Sequence, residues 1–142
     1  METSIESKEL TDCTVTHVSG RNTLPGIVRV NVSGVEIGGP EIIIMAGPCA
    51  VESMDQLVET AVSVKRSNAK ILRGGAFKPR FSPHSFQGLG EQALKMLHEI
   101  SKQTGLPVVT EVMDIRQIDT VCKYADMLQI VSRKMQNFPL LK

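Results

Sequence analysis

Three cations fall within eight residues in the stretch Arg73-Gly74-Gly75-Ala76-Phe77-Lys78-Pro79-Arg80, with no acidic neighbour. Guanidinium and ammonium groups spaced in this way can grip phosphate or carboxylate oxygens from different directions through charge-assisted hydrogen bonds. Gly74 and Gly75 permit close approach of the backbone to a ligand, and Pro79 and Pro83 limit the freedom of the loop. A trio of loop cations is more often a solvated connection than a site. Here it directly follows the apolar Ile71-Leu72, the position at which α/β proteins place ligand-binding loops. Other chemistry-bearing residues are weaker signals when taken singly. Cys49 after Gly47-Pro48 reads as a small packed residue, Glu111 as a strand-end carboxylate, and Glu52 as a charge favoured by a helix N-terminus. His84 and His98 read as exposed loop and helix positions, and His17 makes no metal pair with either.

These groups need elements to hold them. The 142 residues, 42% hydrophobic, suffice for one core. A net charge of +1 gives no global attraction to nucleic acid or membrane, so anion recognition must be local, and a single Tyr with no Trp argues against base stacking. Residues 1–25 are polar and aperiodic, and are expected to form a flexible leader without the pattern of a signal peptide. No apolar stretch is long enough to span a bilayer. Cys13, Cys49 and Cys122 are odd in number and far apart, which disfavours a disulfide framework and suits a reducing cytoplasm.

Residues 26–142 are expected to carry the fold. Ile27–Val32 and Val35–Ile37 alternate around Ser33-Gly34, predicting a β-hairpin. Ile42–Ala46 is a continuous apolar run, predicting a strand buried on both faces of a parallel sheet. Ser53-Met54-Asp55-Gln56 resembles a capping box before a helix bearing Leu57, Ala61 and Val64. A second helix carries Leu89, Ala93, Leu97 and Ile100 and stops at Gly105. Pro107–Val112 is a third strand, Asp114 caps a third helix bearing Ile115, Ile118 and Cys122, and Met127–Ile130 is a fourth strand. Helix-length connections between short apolar strands require parallel neighbours, so the fold class is α/β: an open sheet or about four β-α units of a (β/α)8 TIM barrel. Met135–Lys142 begins a further helix.

Gly47-Pro48-Cys49-Ala50-Val51-Glu52-Ser53, Arg73 to Gly88, Pro107 to Asp114 and Ala125 to Ile130 occur in one order at regular intervals. Together they resemble 3-deoxy-D-arabino-heptulosonate 7-phosphate (DAHP) synthase, in its short bacterial branch related to chorismate-mutase-linked forms, over the first half of that family's barrel. The resemblance implies an aldol-like condensation of phosphoenolpyruvate with erythrose 4-phosphate, opening the shikimate route to aromatic amino acids. It assigns catalytic roles to Lys78 and Glu111. Arg73, Lys78, Arg80, Ser132 and Arg133 would bind substrate. Cys49 would ligate a divalent metal (Mn2+, Fe2+, Co2+ or Zn2+) that polarises the aldehyde.

The chain departs from the family pattern at three positions. Val131 replaces a glycine, Lys134 replaces a neutral amide beside Arg133, and Phe81 replaces a threonine that contacts the sugar phosphate. The remaining family metal ligands and further cations belong to later strands. A DAHP synthase-like chain that is inactive alone is therefore expected. The alternatives are a non-catalytic binding or assembly module that self-associates, and one half of an enzyme completed by another chain. A 3-deoxy-octulosonate 8-phosphate synthase is the lesser choice, because the Arg73–Arg80 loop resembles the heptulosonate group.

Overall fold

The computed structural model describes residues 29–80, 82 and 84–142. The leader at residues 1–25, Ile27, Val28, Cys13, His17, Phe81 and Pro83 lie outside the described residues. The hairpin forms from β1 (Val30–Val32) and β2 (Val35–Ile37), antiparallel, with Val32 opposite Val35. Both turn residues have positive φ, 46° at Ser33 and 92° at Gly34, as a two-residue turn matching strand twist requires.

A second sheet contains β3 (Met45–Ala46), β4 (Ile71–Arg73), β5 (Val108–Glu111) and β6 (Met127–Gln129), all parallel and in chain order. Each crossover contains a helix: α1 (Met54–Arg66), α2 (Glu91–Thr104) and α3 (Ile118–Cys122). A short α4 (Phe138–Leu141) follows β6. The parallel sheet with alternating helices and a preceding hairpin is the α/β architecture that the apolar runs predict.

The helix starts where its capping signal stands. Ser53 has extended backbone, and its hydroxyl accepts from the Gln56 N–H at 3.2 Å, while Gln56 Oε1 accepts from the Glu52 N–H at 3.1 Å. Replacing Ser53 by alanine is expected to cost about 1 kcal/mol, read as a lower urea midpoint with an unchanged slope. Gly105 ends α2 with φ 72°.

Strand alternation sorts side chains into two layers. Leu72, Val108 and Val112 join Leu57, Ala61, Leu94, Leu97, Ile100 and Val121 in the core between sheet and helices. The opposite face packs Ile71, Val109 and Met127 against Val32, Val35 and Ile37 of the hairpin. The hairpin thus covers this face near the strands' N-terminal ends, where Ser33 donates to Asp126 Oδ1 at 2.6 Å and Asp126 Oδ2 accepts from the Val108 N–H at 2.8 Å.

Three expectations need correction. Ile42–Ala46 is not buried on both faces: Ile42 is 91% exposed, Ile44 and Met45 are exposed, and only Met45–Ala46 pairs, because among the described residues β3 is an edge strand with a neighbour on one side. Ile115 does not face the core. It is exposed in a 3₁₀ turn (Ile115–Gln117) capped by Asp114, and Val121 takes the buried position on the short α3. His98 is half-buried rather than exposed, edge-on to Tyr124 with ring centroids 5.9 Å apart. No helix among the described residues is long and apolar enough to cross a membrane.

Candidate active site

Parallel strands bring all their C-terminal ends to one side, so the segments after β3 and β4 and the last residues of β5 and β6 share a rim. Register decides which side chains point together. Arg73 is in register with Val109, and Val109 with Met127; two residues further on, Glu111 is in register with Gln129. Arg73, Glu111 and Gln129 therefore stand on the face that carries the hairpin, above the apolar Ile71, Val109 and Met127.

Arg73 is held from two sides, by the segment after β3 and by β6. Its Nη1 donates to the carbonyl oxygens of Pro48 at 3.3 Å and Cys49 at 3.2 Å, and its Nε donates to Gln129 Oε1 at 3.4 Å. Lys78 is 6% exposed, and its ammonium donates to Cys49 Sγ at 3.1 Å. That hydrogen bond, followed by one from Arg73 and by the charge of Lys78, holds the exposed Cys49 thiol below its ordinary pKa. Arg73, Lys78, Cys49 and Gln129 are thus one connected group. Glu111 lies beside it in the ladder, 4% exposed, and its Oε1 finds no hydrogen-bond partner among the described residues.

The loop is shaped by close packing. A Cβ on Gly74 would stand 2.6 Å from Leu97 Cδ2, and one on Gly75 would stand 2.3 Å from the Cys49 carbonyl oxygen and 2.8 Å from Lys78 Nζ. The room left by the two glycines is filled by the protein's own Leu97 and Lys78. The Lys78 N–H donates to the Gln87 carbonyl at 2.9 Å, and the Gly90 N–H to that of Ala76 at 2.9 Å, closing the loop onto the start of α2.

Arg80, Ser132 and Arg133 stay exposed, after β4 and in a 3₁₀ turn (Ser132–Lys134) after β6. They do not join the hydrogen-bonded group around Arg73 among the described residues. Val131 has φ −81° and ψ 158°, ordinary extended backbone, so this position does not demand glycine.

Two residues with clear parts here were not singled out from the sequence. Gln129 orients Arg73, and the fully buried Thr110 donates its hydroxyl to the Gly74 carbonyl at 2.7 Å, tying β5 to the cationic loop. The available signal was a polar residue inside an apolar strand, since the backbone of a central strand leaves such a side chain needing a partner.

Among the described residues no three or more His, Cys, Asp and Glu side chains are grouped to hold an ion. Cys49 is a single soft donor already engaged by an ammonium, whereas a divalent transition ion takes about four donors. These side chains do not by themselves build the metal site. Two clefts, of about 430 and 560 Å3, lie away from these cations at the hairpin end and are lined by residues such as Val35 and Lys70. Both are open, and the cationic group lies on the opposite rim.

Residues 14–142 match the DAHP synthetase I family. Phospho-2-dehydro-3-deoxyheptonate aldolase of Thermotoga maritima is 46% identical over 112 residues, covering 79% of this chain and 33% of that protein. The 2-dehydro-3-deoxyphosphooctonate aldolase of Stenotrophomonas maltophilia is 35% identical over 108 residues, covering 70% of this chain and 39% of that one. The crystal structure of the Thermotoga maritima DAHP synthase superposes with a TM-score of 0.76 at 45% identity, covering 81% of this chain and 34% of that chain. A truncated form of the same organism's enzyme superposes at 0.74 and 40% identity, covering 85% and 43%. The chain spans about a third of the curated heptonate aldolase it matches.

Proposed function

Because the chain belongs to the DAHP synthetase I family, we propose that it forms the phosphoenolpyruvate-binding wall of a site that condenses phosphoenolpyruvate with erythrose 4-phosphate. The observation that carries this reading is the convergence of Arg73 and Lys78 on one rim, beside a buried carboxylate with an unpartnered oxygen. Arg73 and Lys78 bind the phosphate and carboxylate of phosphoenolpyruvate. Glu111 accepts a hydrogen bond or a proton at Oε1, and its burial excludes bulk water from that exchange. Arg80, Ser132 and Arg133, exposed on the same rim, meet the phosphate of the aldose. Cys49 contributes one donor toward a divalent ion whose other ligands are not grouped among the described residues. A free, ionisable thiol at the site suits a reducing cytoplasm.

The higher identity to the heptonate aldolase than to the octonate aldolase, 46% against 35%, favours erythrose 4-phosphate over arabinose 5-phosphate as the second substrate. With about a third of that relative's length represented, we propose that this chain binds substrate but does not turn it over unaided. Further residues of the protein, another polypeptide or a second copy would supply the facing wall.

Titration calorimetry with phosphoenolpyruvate tests the reading. Binding in the millimolar range or tighter is expected, weakened about tenfold to a hundredfold in Arg73→Ala, the scale of one charge-assisted hydrogen bond. Absence of saturable binding would remove the site. Product formation from both substrates and Mn2+ by this chain alone would remove the claim that it is inactive unaided.

A further inference from the structure

We infer that Gln129 is the positioning residue for anion recognition, holding the Arg73 guanidinium in the orientation that it presents to a ligand oxygen. The inference rests on the proposed anion site at Arg73. Of the guanidinium's N–H groups, that on Nε is taken by Gln129 and those on Nη1 by the Pro48 and Cys49 carbonyls. A further hydrogen bond from Arg73 goes to the Cys49 thiol, and the N–H that remains is left to meet a ligand. Without the contact at Nε, the two carbonyls on Nη1 would leave the planar group free to swing about one nitrogen. Gln129 closes the second anchor.

Its own placement is rigid. The Gln129 backbone carbonyl accepts from the Val112 N–H at 3.2 Å, and its Cα is in register with Glu111 in the β5–β6 ladder. The chemistry of the side chain is also selective. A carboxylate at this position would hold the guanidinium just as firmly, yet it would cancel the charge that an anionic ligand needs. A neutral amide oxygen orients the cation and leaves its charge available. Glu111, the adjacent carboxylate, is not among the hydrogen-bond partners of Arg73.

The test uses Gln129→Leu, which keeps the bulk and removes the oxygen, and Gln129→Glu, which keeps the anchor and adds charge. The Nε–Hε cross-peak of Arg73, assigned by its loss in Arg73→Lys, is recorded in ligand-free protein by 1H–15N NMR. It is expected to move in Gln129→Leu and to stay hydrogen-bonded in Gln129→Glu. Phosphoenolpyruvate affinity should fall about tenfold in Gln129→Leu and further in Gln129→Glu, at unchanged thermal midpoints. An Arg73 cross-peak unmoved in Gln129→Leu overturns the inference. So does affinity within twofold of wild type in that variant while Arg73→Ala weakens binding tenfold or more. If wild type fails to bind phosphoenolpyruvate, the functional reading falls, and the ligand-free cross-peak still decides whether Gln129 holds Arg73.

Discussion

Replacing Lys78 by methionine is expected to weaken phosphoenolpyruvate binding about a hundredfold and to raise the pKa of the Cys49 thiol. Methionine preserves the length and apolar stem of a side chain that is 6% exposed, so the variant removes chiefly the ammonium. That ammonium donates to Cys49 Sγ at 3.1 Å, and an anionic ligand would take its remaining N–H groups. Loss of a hydrogen bond to a charged group costs about 1.5–3 kcal/mol, and the upper end applies where the cation is already desolvated. The thiol gives a readout that needs no substrate. Lys78 is the first cause of the lowered Cys49 pKa, so the thiolate forms at lower pH in wild type than in Lys78→Met.

The sign follows from linkage. A depressed folded-state pKa stabilises the fold above the thiol's unfolded pKa, and this contribution fades as pH falls through the lowered value. Peptide-resolved iodoacetamide labelling across pH would show the Cys49 midpoint moving upward in the variant. Identical midpoints would mean that the ammonium does not act on the sulfur.

The second large effect is expected at Gly47. A methyl group there would stand 1.9 Å from the Arg73 carbonyl oxygen and 2.9 Å from its carbonyl carbon. Both are backbone atoms of the neighbouring parallel strand, so no flexible side chain can yield. Overpacking of a core side chain costs about 1–3 kcal/mol, and Gly47→Ala should reach at least the upper end because β3 and β4 must part. The same displacement carries Arg73 away from the Pro48 and Cys49 carbonyls, so ligand binding should fail with stability. Gly105→Ala is the control. Gly105 has φ 72° but nothing within 4 Å of an added Cβ, so only backbone strain of about 1 kcal/mol applies. Urea midpoints should therefore rank wild type, Gly105→Ala, then Gly47→Ala. A Gly47→Ala midpoint above that of Gly105→Ala would refute the close approach.

Much of the fold was legible because local rules act within one turn or one strand. Ser53 and Gln56 are three residues apart and cap α1 without help from the rest of the chain. Ser33-Gly34 could only be a tight turn, and Ile71-Leu72 and Val108-Val109 were continuous apolar runs that fully buried strands require. The misreadings have a common cause. Ile42–Ile44 is as apolar as those runs, but its exposure depends on whether another strand lies beside β3, which composition does not encode. Ile115 and Val121 both suit a helix core; the 3₁₀ turn opened by Asp114 rotates the first outward and leaves the second inward.

The cations, thiol and carboxylate of the site were likewise readable as residue types that suit anions, but their partnerships were not. Arg73 is 56 residues from Gln129 and 24 from Cys49, and Lys78 is 29 from Cys49. No local periodicity joins positions that far apart. From sequence alone came the alternation of strand and helix, the capping and turn positions, and a cationic loop placed after an apolar strand. Only the tertiary structure decided that Gly47 and Gly75 lie against backbone and Lys78, that Gln129 anchors Arg73, and that Glu111 is buried with an oxygen unpartnered among the described residues. Those outcomes depend on strand register and helix packing, where a one-residue slip would turn each of these side chains to the opposite face of the sheet.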